Sequence, residues 1–333
     1  MKILYAIQGT GNGHIARAED IIPVLSQYGD LDLFISGAQA DIKLSFPVKY
    51  KSKGLSFYFG KNGGVDLVKT FKRNKSKDVY KEIKKFPVEN YDVVMNDFEP
   101  ITAWACKKRA VPCIALSHQS ALRSLKCPRP KSYDIVGDWI LKNYAPADAF
   151  VGFHFSCFDE DIFTPVIRKR IRDVKILDEG HYTVYLPAYD DKKLVPILGK
   201  IPHVKWQVFS KHAKKSYQAG KVSVYPVNNE DFTISMASST GVLCGAGFET
   251  PAEALFLNKK LMVVPMKGQY EQHYNAAALS QMGLPILKKV KTKNLDQIIS
   301  WIENPQKVSV EYSNVTEQAV QRAVNLYHDL IRR

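Results

Sequence analysis

The turn Gln8-Gly-Thr-Gly-Asn-Gly-His14 follows the apolar run 3–7 and sets a histidine at the start of a helical pattern. Gly11, Asn12 and Gly13 give the backbone the freedom to turn, and His14 is then the first side chain able to take a proton near neutral pH. A hydroxyl is a poor nucleophile at that pH, and a base with a pKa near 7 is the efficient group to activate it. Two other readings of His14 stay open: a side chain that only caps or packs at the turn, and one that contacts a phosphate at the helix N-terminus. A base histidine needs a carboxylate to fix its tautomer and stabilise the imidazolium. Asp97 answers that need, because it follows the buried strand 91–95 at its carboxyl end; Glu99 is the alternative. His118 and Gln119 end another strand, 111–116, and are able to hydrogen-bond a hydroxyl substrate.

The second stretch that carries chemistry is 243–278. A short strand ends at Cys244, and Gly245 and Gly247 then allow a tight turn and close approach of a ligand to the backbone. The helix that follows reads Thr250 as N-cap, Pro251 at the first helical position and Glu253 as the carboxylate of a capping box, with Asn258 in the left-handed cap at its end. The front of such a helix is a phosphate site. The strand 261–265 then delivers a polar cluster, Gln269, Glu271, Gln272, His273 and Asn275, to the same crevice.

Other glycine turns and metal motifs fit less well. The loop 9–14 is not a dinucleotide fingerprint, since His14 replaces the third glycine and the second strand, ending at Ser36 and Gly37, offers no acidic residue for a ribose. It is not a P-loop either, because no Gly-Lys-Ser or Gly-Lys-Thr follows. Asp30-Leu-Asp32 and Asp159-Glu-Asp161 match a metal-binding Asp-x-Asp by count, but both sit at turns away from the crevice. No metal and no cofactor is expected.

These residues need strands ending at one edge of a sheet. Strands alternate with helical patterns through most of the chain, which implies largely parallel sheets covered by helices. With 333 residues there is material for two such domains. The expected division is 1–165 as the first domain, 166–180 as a linker, 181–312 as the second domain, and 313–333 as a helix returning to the first. Five cysteines in no metal-like spacing read as reduced thiols. No leader and no apolar run of membrane-spanning length is visible, so a cytoplasmic location is expected. The formal charge is +14, and residues 49–85 hold twelve lysines and arginines against Asp66, Asp78 and Glu82. That segment and the basic loop 123–131 suit an anionic acceptor or an anionic membrane face. No nucleic-acid motif accompanies them, and no nucleic acid is expected as a partner.

The run Gly-Ala-Gly-Phe-Glu-Thr-Pro-Ala-Glu-Ala-Leu, then Val-Val-Pro, then Glu-Gln-x-x-Asn-Ala, resembles the donor-binding half of inverting GT-B-fold glycosyltransferases. The branch is the one that includes plant and antibiotic-type UDP-glycosyltransferases and the lipid-intermediate N-acetylglucosaminyltransferase of peptidoglycan synthesis. The loop Gly-Thr-Gly-Asn-Gly-His is similar to the one that lies under acceptor and donor phosphates in these enzymes. The resemblance implies an α/β fold of GT-B architecture, two Rossmann-like parallel-sheet domains facing across a cleft. It implies sugar transfer from a nucleotide-sugar, a UDP-sugar by preference, to a hydroxyl acceptor, with His14 as base and Asp97 as its support. Gly245, Ala246, Gly247, Phe248, Glu249 and Thr250 would line the diphosphate, Glu253 would hold the ribose hydroxyls, and Glu271 and Gln272, with Asn275 nearby, the donor sugar. The family's pair is more often Asp-Gln, so Glu271 is a departure. Glu253 cannot easily cap its helix and bind ribose together. Two rivals share these features: a nucleotide-sugar epimerase of the same fold, and a non-catalytic protein that binds nucleotide-sugars or glycans.

Overall fold

A computed structural model of the chain describes residues 1–37, 44–54, 76–131 and 134–332. Two compact units make it up, the first formed by Met1–Cys127, Ser132–Arg168 and Ser313–Arg333, the second by Pro128–Lys131 and Lys169–Tyr312. Both are built on largely parallel sheets covered by helices, the α/β class that the alternation of strands and helices implies.

In the first unit the strands are β1 (Lys2–Gln8), β2 (Asp30–Ser36), β3 (Tyr50–Ser52), β4 (Val93–Asp97), β5 (Cys113–Ser117), β6 (Ala149–Phe153) and β7 (Ile162–Phe163). They lie in the order β3-β2-β1-β4-β5-β6-β7, every pair parallel. Central strands of such a sheet are covered on both faces, which is why β1 is almost continuously apolar and Ile3 to Ile7 are fully buried. The strand order reverses between β1 and β4, and at that switch point the connections leave on opposite faces and open a crevice at the carboxyl ends. His14 follows β1 and Asp97 closes β4, so the sequence places both at this edge.

Helix Pro100–Arg109 follows β4. Glu99 caps it by accepting from Ile101 and Thr102 N–H at 2.8 and 2.7 Å, and Pro100 takes the first position, where no N–H is needed. The one-turn helix His118–Ala121 lies so close to β6 that a Cβ on Gly152 would stand 2.6 Å from Ala121 N. Helix Thr316–Ile331 packs on helix Asn12–Leu25, β5 and β6, burying Ala319, Val320, Ala323 and Val324, and Arg322 reaches Asp161 at 2.5 Å. Of the basic segment 49–85, β3 and the helix Ser76–Lys85 are described, while residues 55–75 lie outside the described part.

The second unit repeats the plan with β8 (His181–Tyr185), β9 (Lys205–Ser210), β10 (Tyr217–Ala219), β11 (Val222–Pro226), β12 (Gly241–Gly245) and β13 (Lys260–Val264) in the order β10-β11-β9-β8-β12-β13. Only the β10–β11 hairpin is antiparallel. Trp206, Val208, Val222, Val224, Leu243 and Met262 share one face in a core closed by Leu194, Leu198, Ile298 and Trp301. The switch point falls between β8 and β12, the strand that ends in Gly245. Lys169–Arg172 forms a helical turn with Ile171 buried, and the N–H groups of Leu177 and Glu179 bond to Ala237 and Ser238 carbonyls, so this connecting chain is tied to the second unit. Among the described residues no helix is long and apolar enough to cross a membrane.

Candidate functional site

The first unit's site grows out of the turn after β1. Gly9 N–H bonds to Ser36 O at 2.7 Å, and a Cβ on Gly9 would meet Ile35 Cγ2 at 2.9 Å, so close backbone packing is what fixes this glycine. Gly11 is extended, with nothing within 4 Å of where a Cβ would stand, and Asn12 and Gly13 begin helix Asn12–Leu25. His14 is the third residue of that helix. Its Nδ1 lies 2.8 Å from Asp97 Oδ1, while the side chain keeps 14% of its surface exposed and Asp97 has none. An ionised carboxylate only accepts, so in this contact the ring nitrogen is the donor.

The sequence reading missed Arg17. Its Nη2 stands 2.8 Å from each oxygen of Asp97 and 3.2 Å from His14 Nδ1, and the residue is 1% exposed. Burial works against ionising Asp97, yet Arg17 and His14 outweigh it and hold the carboxyl below its ordinary range. The available signal was an arginine three residues after the histidine, on a stretch whose neighbours Ile15, Ala16 and Ala18 are all buried. Glu99, the alternative support for His14, is fully committed to its helix cap and to Thr102 Oγ1 at 2.6 Å, and burial pushes its carboxyl up. Between Asp97 and Glu99, Phe98 takes φ 57 and packs on Tyr144 with ring centroids 5.0 Å apart. Tyr144 OH in turn accepts from Gln8 Nε2, which also reaches Thr10 Oγ1.

His118 and Gln119 are 1% and 4% exposed, so neither presents surface at this edge. His118 Nδ1 stands 2.8 Å from Phe153 O, with His154 packed edge-on against its ring.

In the second unit β12 ends at Gly245, opposite Val264 of β13. A Cβ on Gly247 would meet nothing within 4 Å, and one on Gly245 only Gln272 Oε1 at 3.9 Å. Neither glycine has the positive φ that favours the residue. What their small size provides is therefore room beside the backbone, outside the chain's own packing. Helix Glu249–Phe256 follows, and here the expected cap is overturned. Phe248 is already right-handed at φ −88 and ψ −52, so the helix begins at Glu249 without a side-chain cap, and Thr250 and Pro251 fall inside the first turn. Glu253 then lies too far into the helix for a capping box and is 2% exposed. The other end is as read: Asn258 takes φ 52, with Lys259 N–H on Ala254 O at 3.0 Å and Asn258 N–H on Leu255 O at 2.9 Å.

Glu271 and Gln272 occupy the first turn of helix Tyr270–Gln281. Gln272 Oε1 accepts from Met266 N at 2.9 Å, and Asn275 Nδ2 donates to Ala246 O at 3.1 Å. Gly245, Ala246, Gln272 and Asn275 are thus brought together, with Asn275, 0% exposed, fastening the glycine turn. A cavity of about 300 Å³ in the same unit opens instead where β8 and β9 begin, lined by His181, Lys205 and Gln207 among others.

Three of the four Asp-x-Asp carboxylates are bonded within the fold: Asp32 to Lys49 and Tyr91, Asp159 to Ser124 and Lys126, and Asp161 to Arg322. Among the described residues no three His, Cys, Asp or Glu side chains converge as a metal site.

The family model for glycosyl transferase family 1 matches residues 1–304. A comparison with curated proteins returns no match. Among solved structures, MurG of Acinetobacter baumannii is similar at a TM-score of 0.58 and 16% identity, over 98% of this chain and 99% of that one. A UDP-glucosyltransferase of Polygonum tinctorium gives 0.60 and 12%, over 98% and 94%. A UDP-N-acetylglucosamine 2-epimerase gives 0.58 and 12%, over 100% and 97%. At such identities the likeness is one of fold, the GT-B fold, which transferases share with the epimerase.

Proposed function

We infer that this chain, which belongs to glycosyl transferase family 1, moves a sugar from a UDP-sugar to a hydroxyl acceptor with inversion at the anomeric carbon and without a metal ion. The observation that carries the reading is the His14–Asp97 pair at the switch point of the first sheet, with the edge of His14 exposed and Asp97 buried behind it. In this mechanism Nε2 takes the acceptor's proton as the oxygen attacks the anomeric carbon and the bond to the diphosphate breaks from the opposite face. Asp97 stabilises the imidazolium that forms. Negative charge growing on the leaving diphosphate is met by the N-terminal N–H groups of helix Glu249–Phe256 and by its dipole, beside the room left at Gly245 and Gly247. Ala246, Phe248, Glu249 and Thr250 complete that turn, Glu253 takes the ribose, and Glu271 and Gln272 take the donor sugar.

Thermal shift with UDP-, GDP- and dTDP-linked sugars tests the donor side. A UDP-sugar at about 100 times its Kd stabilises by about 2.7 kcal/mol, a rise of several degrees. Glu253→Ala should lose most of that rise. If no nucleotide-sugar moves the transition, or if Glu253→Ala responds to UDP-sugar as wild type does, the donor assignment falls. The epimerase reading is favoured by one fold neighbour; epimer formed from donor alone would establish it. Donor binding with no UDP released in the presence of any acceptor would establish a non-catalytic binder.

For the acceptor, a lipid-linked or otherwise anionic substrate at a membrane face fits the first unit's surface. Ile135 and Trp139 lie one helical turn apart and are 72% and 63% exposed, and Leu125, beside Lys126, is 85% exposed. Apolar side chains next to lysines suit an anionic lipid interface. The protein should sediment with vesicles containing phosphatidylglycerol at low salt, release as salt rises, and do so less with Ile135→Ser and Trp139→Ser together. Equal sedimentation with neutral vesicles at every salt concentration, or none with either kind, ends this assignment.

A further inference from the structure

We propose that Arg17 is the positioning residue of the proton-transfer pair, fixing Asp97 and holding His14 neutral with its proton on Nδ1. The role of that form in catalysis rests on the reading of His14 as the base, but the electrostatic arrangement does not.

The argument starts from three contacts made by one nitrogen. Arg17 Nη2 stands 2.8 Å from Asp97 Oδ1, 2.8 Å from Oδ2 and 3.2 Å from His14 Nδ1, and Nδ1 is itself 2.8 Å from Oδ1. Nδ1 is shared between a group that only donates and a group that, ionised, only accepts, so it can satisfy one of them. If it lacked a proton, its lone pair would face the carboxylate oxygen at 2.8 Å, a repulsion between two acceptors. With the proton in place the imidazole donates to Oδ1, and Asp97 prevails because the Arg17 guanidinium, 2.8 Å from both of its oxygens, keeps it ionised.

The position of Arg17 has a second effect. An aspartate alone beside a histidine favours the imidazolium, because opposite charges a few ångströms apart attract. Here the carboxylate is already paired with a guanidinium that does not deprotonate, and an imidazolium would stand 3.2 Å from that cation. Arg17 therefore offsets the attraction of Asp97, and the resting imidazole stays an unprotonated base at Nε2. Arg17 is 1% exposed, so it acts through Asp97 and His14 and does not touch a substrate. Its guanidinium is held from the other side by the Phe153 ring, 5.6 Å from the ring centroid.

Among the described residues, neighbouring polar groups around this helix are engaged elsewhere. β1 contributes Gln8, bonded to Thr10 and Tyr144. Helix Thr316–Ile331 packs with Ala319, Val320, Ala323 and Val324. Glu99, on the helix after β4, has its carboxylate turned to its own helix N-terminus, and Glu19, further along the histidine's helix, accepts from Ser45 N. At the neighbouring strand ends His118 and His154 are bonded to Phe153 O and Phe155 N–H, and burial holds His154 well below its ordinary range.

The test is nitrogen NMR of histidine-labelled, substrate-free protein, with the His14 signals assigned by comparison with His14→Gln. Wild type should show neutral His14 as the Nδ1–H tautomer; an Nε2–H tautomer overturns the proposal, and this reading needs no variant at position 17. Arg17→Gln should raise the His14 titration midpoint by about 1 to 3 pH units, and Arg17→Lys should return it to within about half a unit of wild type. A midpoint within about 0.3 unit of wild type in folded Arg17→Gln overturns the proposal. The acid limb of the kcat profile should move with the midpoint while the donor KM stays put. A midpoint that moves beside a rate profile that does not would count against His14 as the base and leave the placement of Arg17 standing.

Discussion

His14→Ala should lower kcat by about 100- to 10,000-fold, while the dissociation constant for the donor changes by no more than about threefold. Positioned bases supply rate enhancement of that size, and in the proposed mechanism the donor is held by the turn after β12. The variant should also fold, because Asp97 keeps both contacts to Arg17 when the imidazole is removed. Three readings of His14 separate on two measurements, turnover under saturating donor and donor affinity by titration. A base loses turnover alone. A phosphate contact loses affinity along with turnover, and a histidine that only packs loses neither. Either of the last two results would remove the proton-transfer step from the mechanism.

The second large effect is on stability. Asp97→Ala leaves the Arg17 guanidinium, 1% exposed, without its buried counter-charge. Removing one partner of a buried pair costs about 3–5 kcal/mol, since the remaining ion keeps its desolvation penalty and loses the attraction that offset it. Urea unfolding should show a correspondingly lower midpoint, and adding Arg17→Met to Asp97→Ala should recover a large part of the loss. A variant as stable as wild type would mean that the pair contributes nothing net. The same ion pair sets a pH dependence. The folded-state pKa of Asp97 is depressed, so its contribution is complete above the unfolded-state value and is lost as pH falls through the lower, folded-state value. Glu99 has the opposite sign: burial raises its carboxyl, so its contribution is complete below the unfolded-state value and is lost as pH rises through the higher, folded-state value. Both proteins in a comparison of wild type with Asp97→Asn retain Glu99. The difference between their acid limbs therefore isolates Asp97, and wild type should lose stability more steeply on acidification.

How much of this was legible in the sequence depends on whether a residue's partner lay near it in the chain. His14 and Asp97 were readable because each closes a strand-to-helix turn, and in a parallel sheet such turns gather at one edge. The glycines at 245 and 247 were readable from the same pattern. Arg17 was not, since an arginine is ordinarily read as surface, and its ion pair is with the distant Asp97. The start of helix Glu249–Phe256 was misplaced because Thr250 and Pro251 are strong local signals, whereas the deciding feature was the backbone of Phe248, which no side-chain preference announces. The left-handed Phe98 was equally silent: an aromatic residue carries no preference for that conformation, and its packing on Tyr144 joins residues far apart in sequence. Asn275 was placed in the right neighbourhood, but its bond to Ala246 O depended on a tertiary contact that no spacing encodes.

Helix Thr316–Ile331 carries a consequence for biogenesis. It belongs to the unit that begins at Met1, yet the ribosome makes it only after the whole of Lys169–Tyr312. Until then β5, β6 and helix Asn12–Leu25 emerge with the apolar surface that Ala319, Val320, Ala323 and Val324 later cover. Domains that fold during synthesis usually do so from the front of the chain. Here both segments of the second unit are made before that helix, so the second unit is able to mature first, and the one that starts earlier is completed last.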